Sequence, residues 1–406
     1  MRVEPITCLR PDPKHVEEFA ALPYDVYTNE EARAYVAEHP RSFLALDRPE
    51  TGFDVDQDPY APEVYQHARE LLRDRQLDFT LLKDETPCYY IYEQQVGDHT
   101  QTGLLCAVSA DDYLEGVLRR HELTLLAKEQ DRVEHIKTLR AQSGPVFVAY
   151  RDSLAIDVIV GAAKMAAPLY DFVSDDGVRQ RVWRVAREVA VESLSVALGT
   201  VGEAYIADGH HRAAAAVRIC EERRAQGKKN DPSDHFLASL FPASQLRILS
   251  YDRVVSDTNG LGEEELLKAL EERGFSCAPT GGTPVEPKEK GCFGMYAFGS
   301  WYELRWQGEP TGNPVADLDV SLLQHEALDP ILGIDNPRTS DRISFAGGVG
   351  TSELKRLAAD DGVAFHLYPT AMDEVMAVAD AGELMPPKST WFDPKLLSGL
   401  AIRRIW

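Results

Sequence analysis

The segment YIADGHHRAAAA, residues 205–216, limits the possible folds of this chain more than any other. Its surroundings, VGEAYIADGHHRAAAAVRICEERRAQGKK, read as a strand, an Asp-Gly turn and an alanine-rich helix ending near Gly227. Gly209 allows close approach of the backbone, and the alanine run is strongly helix-forming. The first turn of such a helix leaves backbone N–H groups unsatisfied, and together with the macrodipole these favour an anion. Arg212 can add a bidentate grip on phosphate, while His210 and His211 supply donors or acid/base groups. Asp208 would then stand beside the phosphate, placed to take a proton from an attacking hydroxyl or to hold Mg²⁺. The plainer alternative makes Asp208 a helix cap and the two histidines surface polar groups. Zinc is disfavoured, because adjacent histidines point in different directions and no third ligand follows at i+4.

A second block, GVLRRHELT with KEQDR, crowds Arg119, Arg120, His121, Glu122, Thr124, Lys128, Asp131 and Arg132 into fourteen positions. Charges of both signs at that density can fix phosphates and supply a carboxylate base; ordinary pairs on an exposed helix are the alternative. A third, MPPKSTWF, puts Lys388, Ser389 and Thr390 after two prolines and lacks the glycines of a nucleotide P-loop.

Charge gives these blocks their meaning. The 406 residues carry 43 Lys and Arg against 66 Asp and Glu, a formal charge of −23. A surface this acidic repels nucleic acid and anionic lipid. Residues 117–140, 201–229 and 385–406 nevertheless carry +2, +2 and +3, leaving −30 on the other 331 residues. Such islands suit a small polyanion, and the three are expected to converge on one pocket. No uncharged apolar run approaches a spanning helix and the start lacks a signal peptide's apolar core, so a soluble cytoplasmic protein is expected, with no nucleic-acid or membrane partner. Six scattered cysteines without a C-x-x-C pair argue against a disulfide framework and read as buried or half-buried thiols.

Elsewhere the pattern alternates. Thr28 and Glu31 have capping-box spacing ahead of a short helix that ends before Pro40, and PEVYQHARELLRDRQL has helical spacing. CYYIYEQQVGDHTQTGLLCAVSA and GCFGMYAFGSWYELRW read as β-hairpins, and EEELLKALEERGF as a helix closed by Gly274. The fold class is therefore α+β, a mixed sheet with flanking helices. We divide the chain into an N-terminal α/β region (1–110), a core carrying the phosphate-binding turn (111–260) and a C-terminal α/β region packed on that core (261–406).

LPYDVYTNEEAR, GVLRRHELT with KEQDR, YIADGHHRAAAA, FPASQLRIL, QHEALDPILGI and MPPKSTWFDPKLLSGL together resemble the successive blocks of the prokaryotic domain-of-unknown-function 1015 family. Through its DGHHR block that family is similar to the ParB and sulfiredoxin superfamily, which holds nucleotide phosphates on the same strand, turn and helix. The resemblance implies a ParB/sulfiredoxin-like phosphate-binding core and a free L-serine kinase activity, making O-phosphoserine from ATP, ADP or inorganic pyrophosphate with Mg²⁺. It maps the phosphate-binding turn onto Asp208, Gly209, His210, His211 and Arg212, and the catalytic carboxylate onto Glu122.

The reading expected from the sequence is thus a small-molecule phosphotransferase whose partners are a phosphate donor and an amino acid. Asp208, Glu122 and His210 are its catalytic candidates. Gly209, His211, Arg212, Arg119, Arg120, His121, Lys128, Arg132, Lys388, Ser389 and Thr390 are its phosphate-binding candidates. The residues holding the metal are left open, as is association into a homo-oligomer. A ParB-like nucleotide-binding regulator and a phosphohydrolase using the same site are the rivals.

Overall fold

A computed structural model describes residues 1–359 and 361–406. The chain divides into two compact units. One comprises Met1–Arg120, Thr124–Leu246 and Pro394–Trp406; the other comprises His121–Leu123 and Arg247–Asp393.

A mixed sheet organises the first unit. Its strands run in the spatial order Leu118–Arg119, Ala204–Asp208, Val146–Tyr150, His235–Pro242, His99–Ser109, Tyr89–Val96, Arg179–Val185 and Tyr170–Val173, with Val3–Glu4 paired onto His99–Ser109. Leu118–Arg119 runs parallel to Ala204–Asp208, and Val146–Tyr150 parallel to His235–Pro242; the other pairings are antiparallel. The hairpin expected around Gly97-Asp98 forms, with Val96 opposite His99. Helices Leu154–Ala163, Glu188–Gly199 and His210–Ala225 flank the sheet. They bury Ile156, Leu194, Leu198, Ala213 and Ala216 against Val146, Val148, Ile206 and Leu240. The Thr28 capping box opens helix Asn29–Glu38, and Pro62–Leu77 is the expected second helix. A smaller antiparallel sheet joins Leu81–Lys83, Cys8–Pro11, Ile402–Arg404 and Ala141–Gln142.

The second unit is built on a six-stranded antiparallel sheet, in the order Phe275–Pro279, Ser300–Trp306, Cys292–Ala297, Val363–Leu367, Tyr251–Val255 and Ile343–Gly347. Helices Glu263–Glu272, Thr351–Ala358 and Met372–Asp380 belong to it, and Gly274 follows the first of these at φ +98°. Leu266, Leu270, Phe293, Leu323, Phe365 and Val375 share its core. Of the six cysteines, five are buried and Cys277 is half-buried.

Both units combine helices with sheets, so the α+β class with a mixed, helix-flanked sheet is the architecture present. Sheet pairing also decides where the chain can be divided. A cut after residue 110 would sever His99–Ser109 from its neighbour His235–Pro242, and a cut after 260 falls inside the second unit. The last thirteen positions return to the first unit because Ile402–Arg404 pairs with Cys8–Pro11 and Ala141–Gln142.

Candidate phosphate-binding site

Strand Ala204–Asp208 is buried up to its final residue, where the ladder with Val146–Tyr150 breaks register between Ile206 and Asp208. Such an irregularity re-aims the next side chain, and Asp208 emerges here with 28% of its side chain exposed. Gly209 follows at φ +90°, ψ +31°, and helix His210–Ala225 begins at once. Ala213 N to Gly209 O is the first helical hydrogen bond, so the amides of His210, His211 and Arg212 precede the ladder at the end where an anion is favoured. Ala213, Ala215 and Ala216 are buried, and their small side chains let the helix lie close on its neighbours.

Two requirements make position 209 glycine. The left-handed backbone is one, and the Arg212 side chain is the other: a Cβ at 209 would lie 2.8 Å from Arg212 Nε and 2.9 Å from its Cζ. The guanidinium therefore folds back over the turn. Its Nη1 donates to the Pro145 carbonyl, and Nη2 stands 3.6 Å from Asp208 Oδ2. On the other side it passes Gly144, where a Cβ would come within 3.3 Å of Nη1.

Asp208 collects further positive charge. Its Oδ1 accepts from Gly209 N at 2.8 Å, and Lys395 Nζ lies 3.8 Å from Oδ2. Burial by itself would raise this carboxyl's pKa; Lys395, Arg212, the Gly209 amide and His210 outweigh it and hold the group well below the usual carboxylate range. Asp208 is thus a fixed anion that orients two cations.

A small cavity of about 30 Å³ adjoins the turn, lined among others by Arg212, Ser143, Gly144, Ser398, Tyr24 and Arg132. A larger one, about 340 Å³, shares Tyr24, Asp47 and Arg132 with it and adds Tyr27, Tyr60, Tyr65, Lys128 and Asp131. Arg132 is the wall between them. Buried, it pairs with Asp131 at 2.7 Å and Asp47 at 3.3 Å and stacks over Tyr24 at 4.2 Å from the ring centre. Burial pushes the Tyr24 phenol up to about 12, against the opposing fields of Arg132 and Arg212.

The sequence candidates fall into three groups. Asp208, Gly209, His210, Arg212 and Arg132 gather at the turn and its cavities, with the exposed Lys128 on the larger one. His211 has a positional task, since its Nε2 accepts from Leu125 N at 3.0 Å and so ties the start of helix Leu126–Leu139 to the turn. Arg119 and Arg120 have partners of their own. Arg119 pairs with Glu203, just ahead of the strand whose far end carries Asp208, and Arg120 donates to the Tyr113 hydroxyl at 3.3 Å.

His121, Glu122, Lys388, Ser389 and Thr390 belong to the second unit. There the Met385 amide donates to His121 O at 2.8 Å. Lys388, at φ +57°, has its ammonium 5.7 Å from the Tyr251 ring centre. Burial raises the Tyr251 phenol, Lys388 and Arg253 oppose that rise, and Glu122 adds to it; Glu122 and Lys388 thus act on one buried tyrosine. Ser389 spends its hydroxyl on Pro386 O at 2.7 Å, closing a turn, and half-buried Thr390 leads into strand Trp391–Asp393.

Lys395 is the residue that sequence reasoning passed over. It lies in the basic 385–406 segment and in the block MPPKSTWFDPKLLSGL, but attention went to the lysine after the prolines. Its backbone is pinned by Gln94 Nε2 to Lys395 O at 2.9 Å, and Leu397 N donates to the Tyr92 hydroxyl at 3.2 Å.

Fold and site together describe an α+β protein whose first unit carries a strand, a glycine turn and a helix with Asp208 held between Arg212 and Lys395. The chain belongs to the family described as protein of unknown function (DUF1015), whose model matches residues 3–321. That span includes Glu122 and the 208–212 turn but stops short of Lys388 and Lys395. No curated protein matches the sequence. Among solved structures the chain is similar to C-terminally truncated SbnI from Staphylococcus aureus, at 15% identity and a TM-score of 0.37, covering 74% of this chain and 87% of that one. It is similar also to a conserved hypothetical protein from Pyrococcus furiosus, at 12% identity and TM-score 0.35 (74% and 95% covered). Free serine kinase in complex with AMP matches at 11% identity and TM-score 0.35 (71% and 86% covered). Among the described residues no helix is long and apolar enough to cross a membrane.

Proposed function

We propose that the protein is a small-molecule kinase that transfers a phosphoryl group from pyrophosphate, ADP or ATP to the hydroxyl of free L-serine, giving O-phosphoserine. The observation carrying this reading is the turn at Gly209, where a helix begins, Asp208 stands between Arg212 and Lys395, and Arg212 reaches the adjoining cavity. Such preorganised positive charge suits a di- or triphosphate, whose transfer depends on positioning and charge stabilisation more than on covalent help.

In this reading the amides of residues 210–212, Arg212 and Lys395 hold the donor's phosphate oxygens. The serine Oγ forms the new bond to phosphorus as the bond to the leaving phosphate breaks, and the hydroxyl proton passes to a carboxylate. Glu122 has that role by family resemblance. Mg²⁺, when bound, neutralises phosphate charge. Asp208, held ionised, is a residue that would hold it.

The test is incubation of the pure protein with L-serine, Mg²⁺ and each donor in turn, with O-phosphoserine followed by ³¹P NMR. Phosphate release without serine would instead indicate a hydrolase, and nucleotide binding without turnover a regulator.

A further inference from the structure

We propose that the outward face of helices Leu154–Ala163 and Glu188–Gly199 is the contact through which two copies of this chain form a symmetric dimer. These neighbouring helices turn Ile156, Leu194 and Leu198 inward to the sheet. On the opposite side, Leu154 and Val158 recur at a spacing of four and Val189 and Val196 at a spacing of seven, each pair close to one line along its helix, and Met165 lies in the turn just past the end of the first. Their exposures are 78%, 62%, 76%, 72% and 88%.

Charge points the same way. Exposed positions from 154 to 167 are Leu154, Ala155, Asp157, Val158, Gly161, Ala162, Met165, Ala166 and Ala167, a single charge among them, on a chain that is 27% charged. The companion helix exposes Glu188 and Glu192, and Arg151 and Arg187 flank the N-terminal ends of the two helices. The face is therefore near neutrality on a molecule of charge −23. Two such molecules repel over most of their surfaces and can meet here without that cost.

Area identifies the occupant. The five large side chains present roughly 500–600 Å² of apolar surface, at the upper end for the largest patch on a monomer. With the surrounding alanines they approach the ~800 Å² that each partner of a stable complex gives up. A second copy supplies the same shape and the same sparsely charged stripe about a two-fold axis. A lipid surface is disfavoured by the acidity of the chain.

The experiment is light scattering on the full chain as it leaves a sizing column, at about 1 and about 50 μM. Wild type is expected at twice 45.2 kDa. The double variant Val158→Glu/Met165→Glu is expected at 45.2 kDa with an unchanged circular dichroism spectrum, whereas Val55→Glu, equally exposed but outside this face, should remain dimeric. Wild type running as a monomer at both concentrations, or the double variant remaining dimeric, would overturn the proposal. Neither face mutation touches the phosphate-binding turn, so serine phosphorylation is read independently of this result.

Discussion

Replacing Gly209 with alanine tests the phosphate turn at its most constrained point. Two costs follow from the geometry. Left-handed backbone at a non-glycine residue costs roughly 1–2 kcal/mol, and at φ +90° the turn sits beyond the centre of that region. The new methyl would also stand 2.8 Å from Arg212 Nε, closer than real Cβ contacts come, so the guanidinium must swing away. That movement breaks its bond to Pro145 O and its approach to Asp208. The backbone term lowers stability and moves a melting transition of a unit this size by a few degrees, on the order of 2–4 °C per kcal/mol. The displaced guanidinium lowers affinity instead: a lost hydrogen bond to a charged group is worth about 1.5–3 kcal/mol, or ten- to a hundredfold in the dissociation constant. Calorimetric titration with pyrophosphate and Mg²⁺, beside a thermal melt, separates the two. In an Arg212→Ala background the affinity loss on adding Gly209→Ala should shrink strongly, because both changes remove the same grip. Wild-type affinity in Gly209→Ala, or full additivity with Arg212→Ala, would refute the claim that Gly209 exists to seat Arg212.

Two further outcomes follow from the charges. Lys395→Met removes one of the cations that hold Asp208 acidic, so the carboxyl should protonate at a higher pH and the acid-side loss of phosphate binding should begin at a higher pH than in wild type; affinity measured across pH 3–7 checks the sign. In the second unit, burial raises the Asp319 carboxyl to about 7, despite hydrogen bonds from Gly291 N at 3.0 and 3.1 Å. A carboxyl raised on folding contributes stability below its unfolded pKa and loses it as pH climbs through the folded value. Urea unfolding should therefore show the second unit weakening between about pH 4 and pH 7, and Asp319→Asn should flatten that slope.

Much of this was readable in the chain because its signals are local. The Gly209 turn, the Thr28 capping box and both hairpins each lie within a few consecutive residues, and each is present. Helix Leu154–Ala163 received no assignment from the sequence: LAIDVIVGAA is a short, nearly continuous apolar run that buried strands and helices share. The exposed Leu154 and Val158 that blur its period belong to the proposed dimer face. Lys395 was missed for another reason. Its value lies in meeting Asp208 across a long stretch of chain, and only the sheet pairing of the C-terminal segment brings it there. Arg119 and Arg120 were marked by composition, and the structure adds partners the composition does not show, Glu203 and the Tyr113 hydroxyl. The brief passage of His121–Leu123 into the second unit has no sequence mark.

The central claim is phosphoryl transfer at the Gly209 turn. The most direct measurement is the rate of O-phosphoserine formation by wild type and by Arg212→Ala under saturating L-serine and Mg²⁺, with pyrophosphate, ADP and ATP as donors. The account predicts turnover with at least one donor and a fall of two or more orders of magnitude in the variant. No product from wild type with any donor, or an equal rate in Arg212→Ala, would contradict it.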